Sequence, residues 1–170
     1  MSLFSGPDLP LPQWLPDETV FSWASRYHQL AGHRLAAQTC FALFGDRRHG
    51  SQHDLPTRLG WLVDRAAGQL GTPEDVALNH TLLRYYLVPR RSDEVTTVIS
   101  SLVEPTAGVL KFRLGILTSR FRANHPLKAC PGCIDAHRSM CGSPYWRLAH
   151  QYPGVWMCLQ HDTLLAPTEN

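Results

Sequence analysis

The chain has 170 residues, of which 44% are hydrophobic and 18% charged, and its formal net charge is +2. That apolar share belongs to a folded chain of one ordinary domain or two small ones, and the near balance of charge excludes a polybasic tail. No run of about 18 apolar residues exists to span a membrane, and Met1 to Pro16 lack the basic start and long apolar stretch of a secretory signal.

The segment Gly6 to Pro16 is too rich in proline for a helix and is expected to be an extended arm, with Leu11, Trp14 and Leu15 packing elsewhere. Asp17-Glu18 then opens a helix, since acidic groups favour its N-terminal end. Val20, Ala24, Tyr27 and Ala31 share one face, Trp23 and Leu30 widen it, and Gly32 ends it. A second helix is expected from about Leu35 to Phe44, with Ala36, Cys40, Leu43 and Phe44 inward and Gly45 as its stop. Two helices joined by the turn Gly32-His33-Arg34 have a helix-turn-helix outline, which is also the outline of an ordinary helical hairpin in a core.

Arg47 to His53 reads as a basic surface loop. Asp54 is expected to cap a third helix with Leu55, Leu59, Leu62, Val63, Ala66 and Leu70 as its stripe and Gly71 as its exit. Thr72-Pro73-Glu74-Asp75 is a further start, with a Thr cap, a first-turn proline and an acid at the capping-box position. His80 to Pro89 is a buried connector or a strand. Ser92-Asp93-Glu94 begins another helix, with Val95, Val98, Ile99 and Leu102 in phase until Pro105.

From Lys111 the chain turns basic. Lys111, Arg113, Arg120, Arg122, Lys128, Arg138 and Arg147 face one acid, Asp135, before His161. Such a stretch is either a solvated surface or a set of contacts to phosphates or an acidic protein face. The expected organisation is mainly α: an extended arm over 1–16, a helical domain with helix-turn-helix character over 17–110, and a basic segment with a small zinc-finger module over 111–170.

There are five cysteines. Cys40 stands alone, whereas Cys130, Cys133, Cys141 and Cys158 lie in the last quarter. An odd count without a signal peptide points to reduced thiols in the cytoplasm rather than to a disulfide framework. Cys130-Pro131-Gly132-Cys133 and Cys158-Leu159-Gln160-His161 each place two ligands on one ion, and together they make the closed tetrahedral shell of a structural zinc. His137, as Cys133-x3-His137, and Cys141 lie in the same stretch and are competing ligands. Otherwise Cys141 is a free thiol, and His137 and His150 are polar surface or hydrogen-bonded groups. Pro131-Gly132 suits a tight turn. Ile134 to Met140 is a short helix, and Tyr145, Trp146, Leu148, Tyr152, Val155 and Trp156 supply an apolar wall for the module. Four protein ligands leave no open position for catalysis, and no His-Glu-x2-His, phosphate-cradling glycine loop or Gly-x-Ser-x-Gly elbow occurs. An enzyme with a small-molecule substrate is not expected.

The run Leu15-Pro16-Asp17-Glu18-x3-Ser22-Trp23-x2-Arg26-Tyr27 resembles the opening of the TniQ family, which includes TnsD-type target-selection proteins. Cys130-Pro131-x-Cys133 through Tyr145-Trp146-x3-His150-Gln151-x4-Trp156-x-Cys158-x2-His161 is similar to that family's zinc motif, and His80-Thr81-Leu82-Leu83 to its TnsD-type members. The resemblance implies helix-turn-helix and zinc-finger modules and a non-enzymatic part in choosing where a transposon inserts. It also implies, as partners, a TnsC-like AAA+ ATPase and target DNA, met directly or through a CRISPR RNA-guided effector, in a bacterial cytoplasm at the nucleoid. The site residues expected are Cys130, Cys133, Cys158 and His161 for zinc. Arg34, Arg47, Arg48, Lys111, Arg113, Arg120, Arg122 and Lys128 are expected for DNA, and Trp14 and Leu15 for a protein partner. TnsD-type members run longer and many carry a second knuckle pair, so the chain is expected to be the N-terminal portion of a longer protein.

Overall fold

The chain enters as an extended segment from Pro10 to Leu15 and is stitched to the first helix by side-chain donors. Trp23 Nε1 donates to the Pro12 carbonyl at 2.7 Å and Arg26 Nη2 to that of Gln13 at 2.6 Å. The computed structural model describes residues 10–49, 52–88, 90–103, 114–115 and 126–168. Helix α1 spans Val20–Leu30 and is capped by Thr19, whose hydroxyl accepts from Ser22 N at 3.1 Å. It therefore starts later than the acidic pair suggested. Asp17 has a φ of 60° and Glu18 forms an isolated β-bridge with Arg147, so both acids work outside the helix. Val20, Trp23, Ala24 and Tyr27 are buried as expected. Leu30 is not: it sits on the last turn, where the chain reverses at Gly32, and remains 61% exposed.

Helix α2 spans Ala36–Phe44, opened by Gln38 Oε1, which accepts from both Arg34 N and Leu35 N at 3.0 Å, and stopped by the left-handed Gly45. Cys40, Leu43 and Phe44 point inward, whereas Ala36 is exposed, against expectation, because it lies on the first turn beyond the packed face. Helix α3 is Leu59–Arg65, shorter than the stretch from Asp54 to Gly71. Pro56 keeps the residue before it out of helical conformation. Asp54 instead is buried, its carboxylate accepting from Leu55 N and its carbonyl from Leu82 N. The helix ends early because Ala67 and Gly68 both take positive φ. The stripe is buried all the same, from Leu55 to Leu70.

Helix α4 (Pro73–His80) has the full capping box, with Asp75 N donating to the Thr72 hydroxyl and Thr72 N to the Asp75 carboxylate. The aromatic stretch that follows is neither strand nor irregular connector but a short helix, α5 (Leu83–Leu87), with Leu83 and Leu87 inward. Helix α6 is Ser92–Val103. Its Val98 and Leu102 join Trp23, Leu43, Phe44, Leu59, Leu62 and Leu82 in one core. Pro105 and the basic residues Lys111, Arg113, Arg120 and Arg122 lie outside the described residues.

The C-terminal part is a small Cys-rich module. Strand β1 (Lys128–Ala129) leads into α7 (Pro131–Cys141), followed by α8 (Leu148–Gln151), β2 (Met157–Cys158), β3 (Thr163–Leu164) and β4 (Ala166–Pro167). Strands β1 and β4 pair antiparallel with Ala129 opposite Ala166, and β2 and β3 with Cys158 opposite Thr163. The expected apolar wall divides between two tasks. Leu148 and Tyr152 pack into the helical core and the Tyr145 hydroxyl donates to the Pro16 carbonyl, so these residues dock the module. Val155 packs against the cysteines, while Trp156 stays exposed, with the Lys128 ammonium 5.0 Å from its ring centroid.

The seam between the two parts is built on polar pairs. Glu18 is 0% exposed, and its carboxylate accepts from Arg26 Nε and Nη2 at 2.8 Å, Ser22 Oγ at 2.9 Å and Leu15 N at 3.1 Å. Thr19 N donates to the Trp146 carbonyl and Trp146 N to the Ser22 hydroxyl. Asp17 accepts from Ala149 N and from Arg147 Nε, which caps α8. Removing one partner of a buried ion pair leaves the other uncompensated and costs about 3–5 kcal/mol. Glu18→Ala is therefore expected to lower unfolding free energy by about that amount, read from the denaturant midpoint of the metal-loaded protein; an unchanged midpoint contradicts it.

Candidate metal centre

Cys130 stands immediately before α7 with Pro131 at the first helical position, and Ile134 N donates to its carbonyl at 3.0 Å. This places Cys133 one turn into the helix, on the side of Cys130. Cys158 comes from β2, and the reversal through Asp162, with φ 48°, brings His161 over the same spot. Pro131-Gly132 thus opens a helix rather than making a free-standing turn. The glycine has a separate cause: a Cβ there would stand 2.9 Å from Cγ and Cδ2 of His161.

The four side chains converge. His161 Nδ1 lies 3.4 Å from the sulfur of Cys133, 3.5 Å from that of Cys130 and 3.6 Å from that of Cys158, and the sulfurs of Cys133 and Cys158 are 3.6 Å apart. All four ligand atoms lie within 4.8 Å of one another, and none of the cysteines is in a disulfide. Bonds of about 2.0–2.3 Å at tetrahedral angles give edges of about 3.5–3.8 Å, so the group can hold a tetrahedral metal ion without rearrangement. The surroundings suit an anionic ligand set. Thr163 Oγ1 is 3.2 Å from Cys130 Sγ, and Arg147 Nη1 is 3.9 Å from Cys133 Sγ while also donating to Gln160 Oε1. Burial pushes the Cys130 thiol up, but hydrogen bonds from Thr163, from the Cys133 backbone and from the neighbouring thiols outweigh it and bring its pKa down to about 6. Burial and the Cys158 thiol hold Cys133 above its ordinary value.

The competing ligands are set aside by position. Cys141 is exposed at the far end of α7. His137 is buried with its ring stacked on Tyr145 at 3.7 Å. His150 is also buried, and neither joins the cluster. Both were expected at the surface or in hydrogen bonds; both are enclosed by packing between module and helical core, and His137 hydrogen-bonds there to the Tyr145 backbone. Burial first, then the nearby charges of Arg147, His137, Lys128 and His161, drives the His150 pKa down to about 4.

Of the basic residues expected at DNA, Arg34, Arg47 and Arg48 are exposed. Lys128 is not available: it is buried, and its ammonium donates to the carbonyls of Tyr152 at 2.9 Å and Val155 at 2.5 Å, so it holds the module together. Of the two residues expected to meet a partner, Trp14 is turned inward. Trp14 stacks on His80 at 3.7 Å, lies 5.5 Å from Trp23 and donates from Nε1 to the Leu70 carbonyl. Leu15 is half-buried, with its N–H on Glu18. Arg147 was counted only as part of a basic bias; its place between Asp17 and the cysteines depends on a contact 130 positions away, which leaves no local signal.

Residues 9–165 match the sequence profile of the TniQ family. The chain belongs to the TniQ family. It is also similar to the transposon Tn7 transposition protein TnsD of Escherichia coli, at 23% identity over 163 residues, covering 93% of this chain and 31% of that protein. In this TniQ chain the signature from Leu15 to Tyr27 is the seam itself: Asp17 caps α8, Glu18 pairs with Arg26, Ser22 holds Trp146, and Trp23 and Tyr27 fill the core. Among the described residues no helix is long and apolar enough to cross a membrane.

Cys133→Ser is expected to abolish retention of one zinc per chain through gel filtration, and Gly132→Ala to weaken it by displacing the His161 ring. Full retention in both contradicts the ligand assignment. His150 favours the folded state while neutral, so its contribution is complete above the unfolded value near 6.5. That contribution declines as pH falls toward about 4. An imidazole NMR titration of the metal-loaded protein is expected to give a midpoint near 4 for this residue, and a midpoint near 6.5 contradicts its burial.

Proposed function

We propose that this chain is a non-enzymatic component of transposition target selection, one that marks or bridges the insertion site and recruits a TnsC-like AAA+ ATPase regulator. The observation that carries the reading is family membership over residues 9–165, joined to similarity to a transposition protein over nearly the whole chain. The site chemistry is consistent with it. Three thiolates and an imidazole complete a tetrahedral shell around Zn²⁺ and leave no position for a reacting water. Zinc then acts as a structural ion whose binding supplies about 10 kcal/mol or more toward folding a module with little core of its own. Held against the helical part by the Glu18 and Asp17 contacts, the module gives one rigid body on which surface groups keep fixed spacing.

A second reading is direct contact with target DNA, favoured by the exposed guanidinium groups of Arg34, Arg47 and Arg48 on either side of α2. The work proposed is in the cytoplasm at the nucleoid, with target DNA, the regulator and, where one directs insertion, an RNA-guided effector as partners. The test is binding of the zinc-loaded chain to duplex DNA with and without the cognate AAA+ regulator and ATP, at two salt concentrations. Entry into the DNA complex only with the regulator supports the adaptor. Binding alone, with affinity falling steeply as salt rises, supports direct contact. Failure of both overturns the target-selection reading.

A further inference from the structure

We infer that the face where the C-terminal end of α2 meets α3 grips the phosphate backbone of DNA, with Trp61 as its flat platform, Arg58 and Arg65 beside the ring, and Arg47 and Arg48 on the loop that leaves Gly45. This inference rests on the reading that the protein acts at DNA and says which surface does so and how. Trp61 is a tryptophan left 40% exposed while the apolar residues that follow it on α3, Leu62 and Val63, are buried. Its ring is held in place rather than loosely presented. A Cβ on Gly45 would stand 2.8 Å from its Cε3, so the bare glycine backbone lies directly against it. The Arg58 and Arg65 guanidinium carbons stand 5.3 and 5.5 Å from the ring centroid. Those two arginines are anchored in turn: Arg58 Nε donates to the Phe44 carbonyl at 2.7 Å and Arg65 Nη1 to the Ala42 carbonyl at 2.9 Å, at the end of α2.

The loop leaving Gly45 carries Arg47 and Arg48, both exposed. Its acid, Asp46, is turned onto its own loop, accepting from Arg48 N at 2.8 Å and lying 3.0 Å from His49 Nδ1. The loop is thereby shaped from within, next to a ring that is itself clamped. Guanidinium groups match phosphate oxygens in planar, two-pronged geometry, and an exposed indole packs against sugar or base without regard to sequence. Positioned cations around a flat aromatic ring therefore fit a nucleic-acid backbone, a contact that sets register and carries no base preference. Of the arginines expected at DNA beside α2, this face keeps Arg47 and Arg48 and leaves out Arg34, at the other end of the helix.

The test uses the zinc-loaded chain and a short duplex of arbitrary sequence, with affinity measured by anisotropy between about 50 and 200 mM salt. Arg47→Gln/Arg48→Gln is expected to weaken binding about tenfold and to reduce the slope of log affinity against log salt by about 2, as two phosphate contacts require. Arg84→Gln, an exposed arginine of α5 outside the expected DNA set, leaves affinity within about twofold and serves as the control for a general charge effect. DNA is expected to quench a part of the emission that is missing in Trp61→Phe, a variant that keeps an aromatic ring against Gly45. Unchanged affinity and slope in the double variant overturn the inference. So does a wild-type chain that binds no duplex at the lowest salt, even if the regulator still captures it, in which case the adaptor reading survives alone. A double variant that binds DNA normally but loses the regulator in the absence of DNA also overturns it, and assigns the face to an acidic protein surface.

Discussion

A carboxylate with no exposure to water is tolerated only where its charge and its lone pairs are all answered, and Glu18 meets that condition with a two-pronged guanidinium, a hydroxyl and a backbone amide. Meeting it has geometric consequences. With its side chain folded back onto Arg26, Glu18 cannot sit in the first turn of α1. Its backbone is left to bridge Arg147, while Asp17, forced into positive φ, points its carboxylate at the start of α8. One buried pair therefore orients the N-terminal segment, starts the first helix two residues later than its acids suggest, and sets the edge against which the Cys-rich module docks.

The same seam reaches the metal centre. Arg147 joins Asp17 on one side and approaches the Cys133 sulfur on the other, so the charge that completes the seam also faces the thiolates. Outer groups of this kind orient ligands and tune their basicity as the ligands tune the metal. The module does not depend on the ion alone for its position, because Leu148 and Tyr152 belong to the helical core. Coordination at the four ligands would tie β2 and the turn after it to the start of α7, whereas the polar seam and these apolar anchors order the module against the helices. Division of labour between coordination and docking suits a protein whose work lies on its surface, where groups from both parts must keep their spacing.

Arginine shows how residue type and role come apart. Arg26 neutralises a buried acid, Arg58 and Arg65 cap the carbonyls that α2 leaves unpaired at its end, and Arg147 links seam to cluster. Arg34, Arg47 and Arg48 are instead exposed to solvent. The capping pair also frames Trp61, so a structural need at a helix end produces a positioned cationic platform.

The local features of this chain were legible because they depend on neighbours a few positions away. The apolar phase of α1, α3 and α6, the Thr72–Asp75 box, the stop at Gly45 and the two ligand pairs Cys130/Cys133 and Cys158/His161 all belong to this kind. Helical periodicity, capping and the reach of a two-residue spacer are short-range physics. Tertiary structure decided the rest. Asp17 and Glu18 carry the composition of a helix start but are drawn to Ala149 and Arg26; Asp54 looks like a cap but is buried beside Leu82. Lys128 reads as a phosphate contact but holds two carbonyls of its own module. Trp14 reads as core plug or partner anchor until His80 and Leu70 are beside it, and Gly132 is explained by a ring from a strand turn far along the chain. In each case residue type sets what a side chain can satisfy, while the partner that satisfies it comes from remote sequence, and burial makes that partner obligatory.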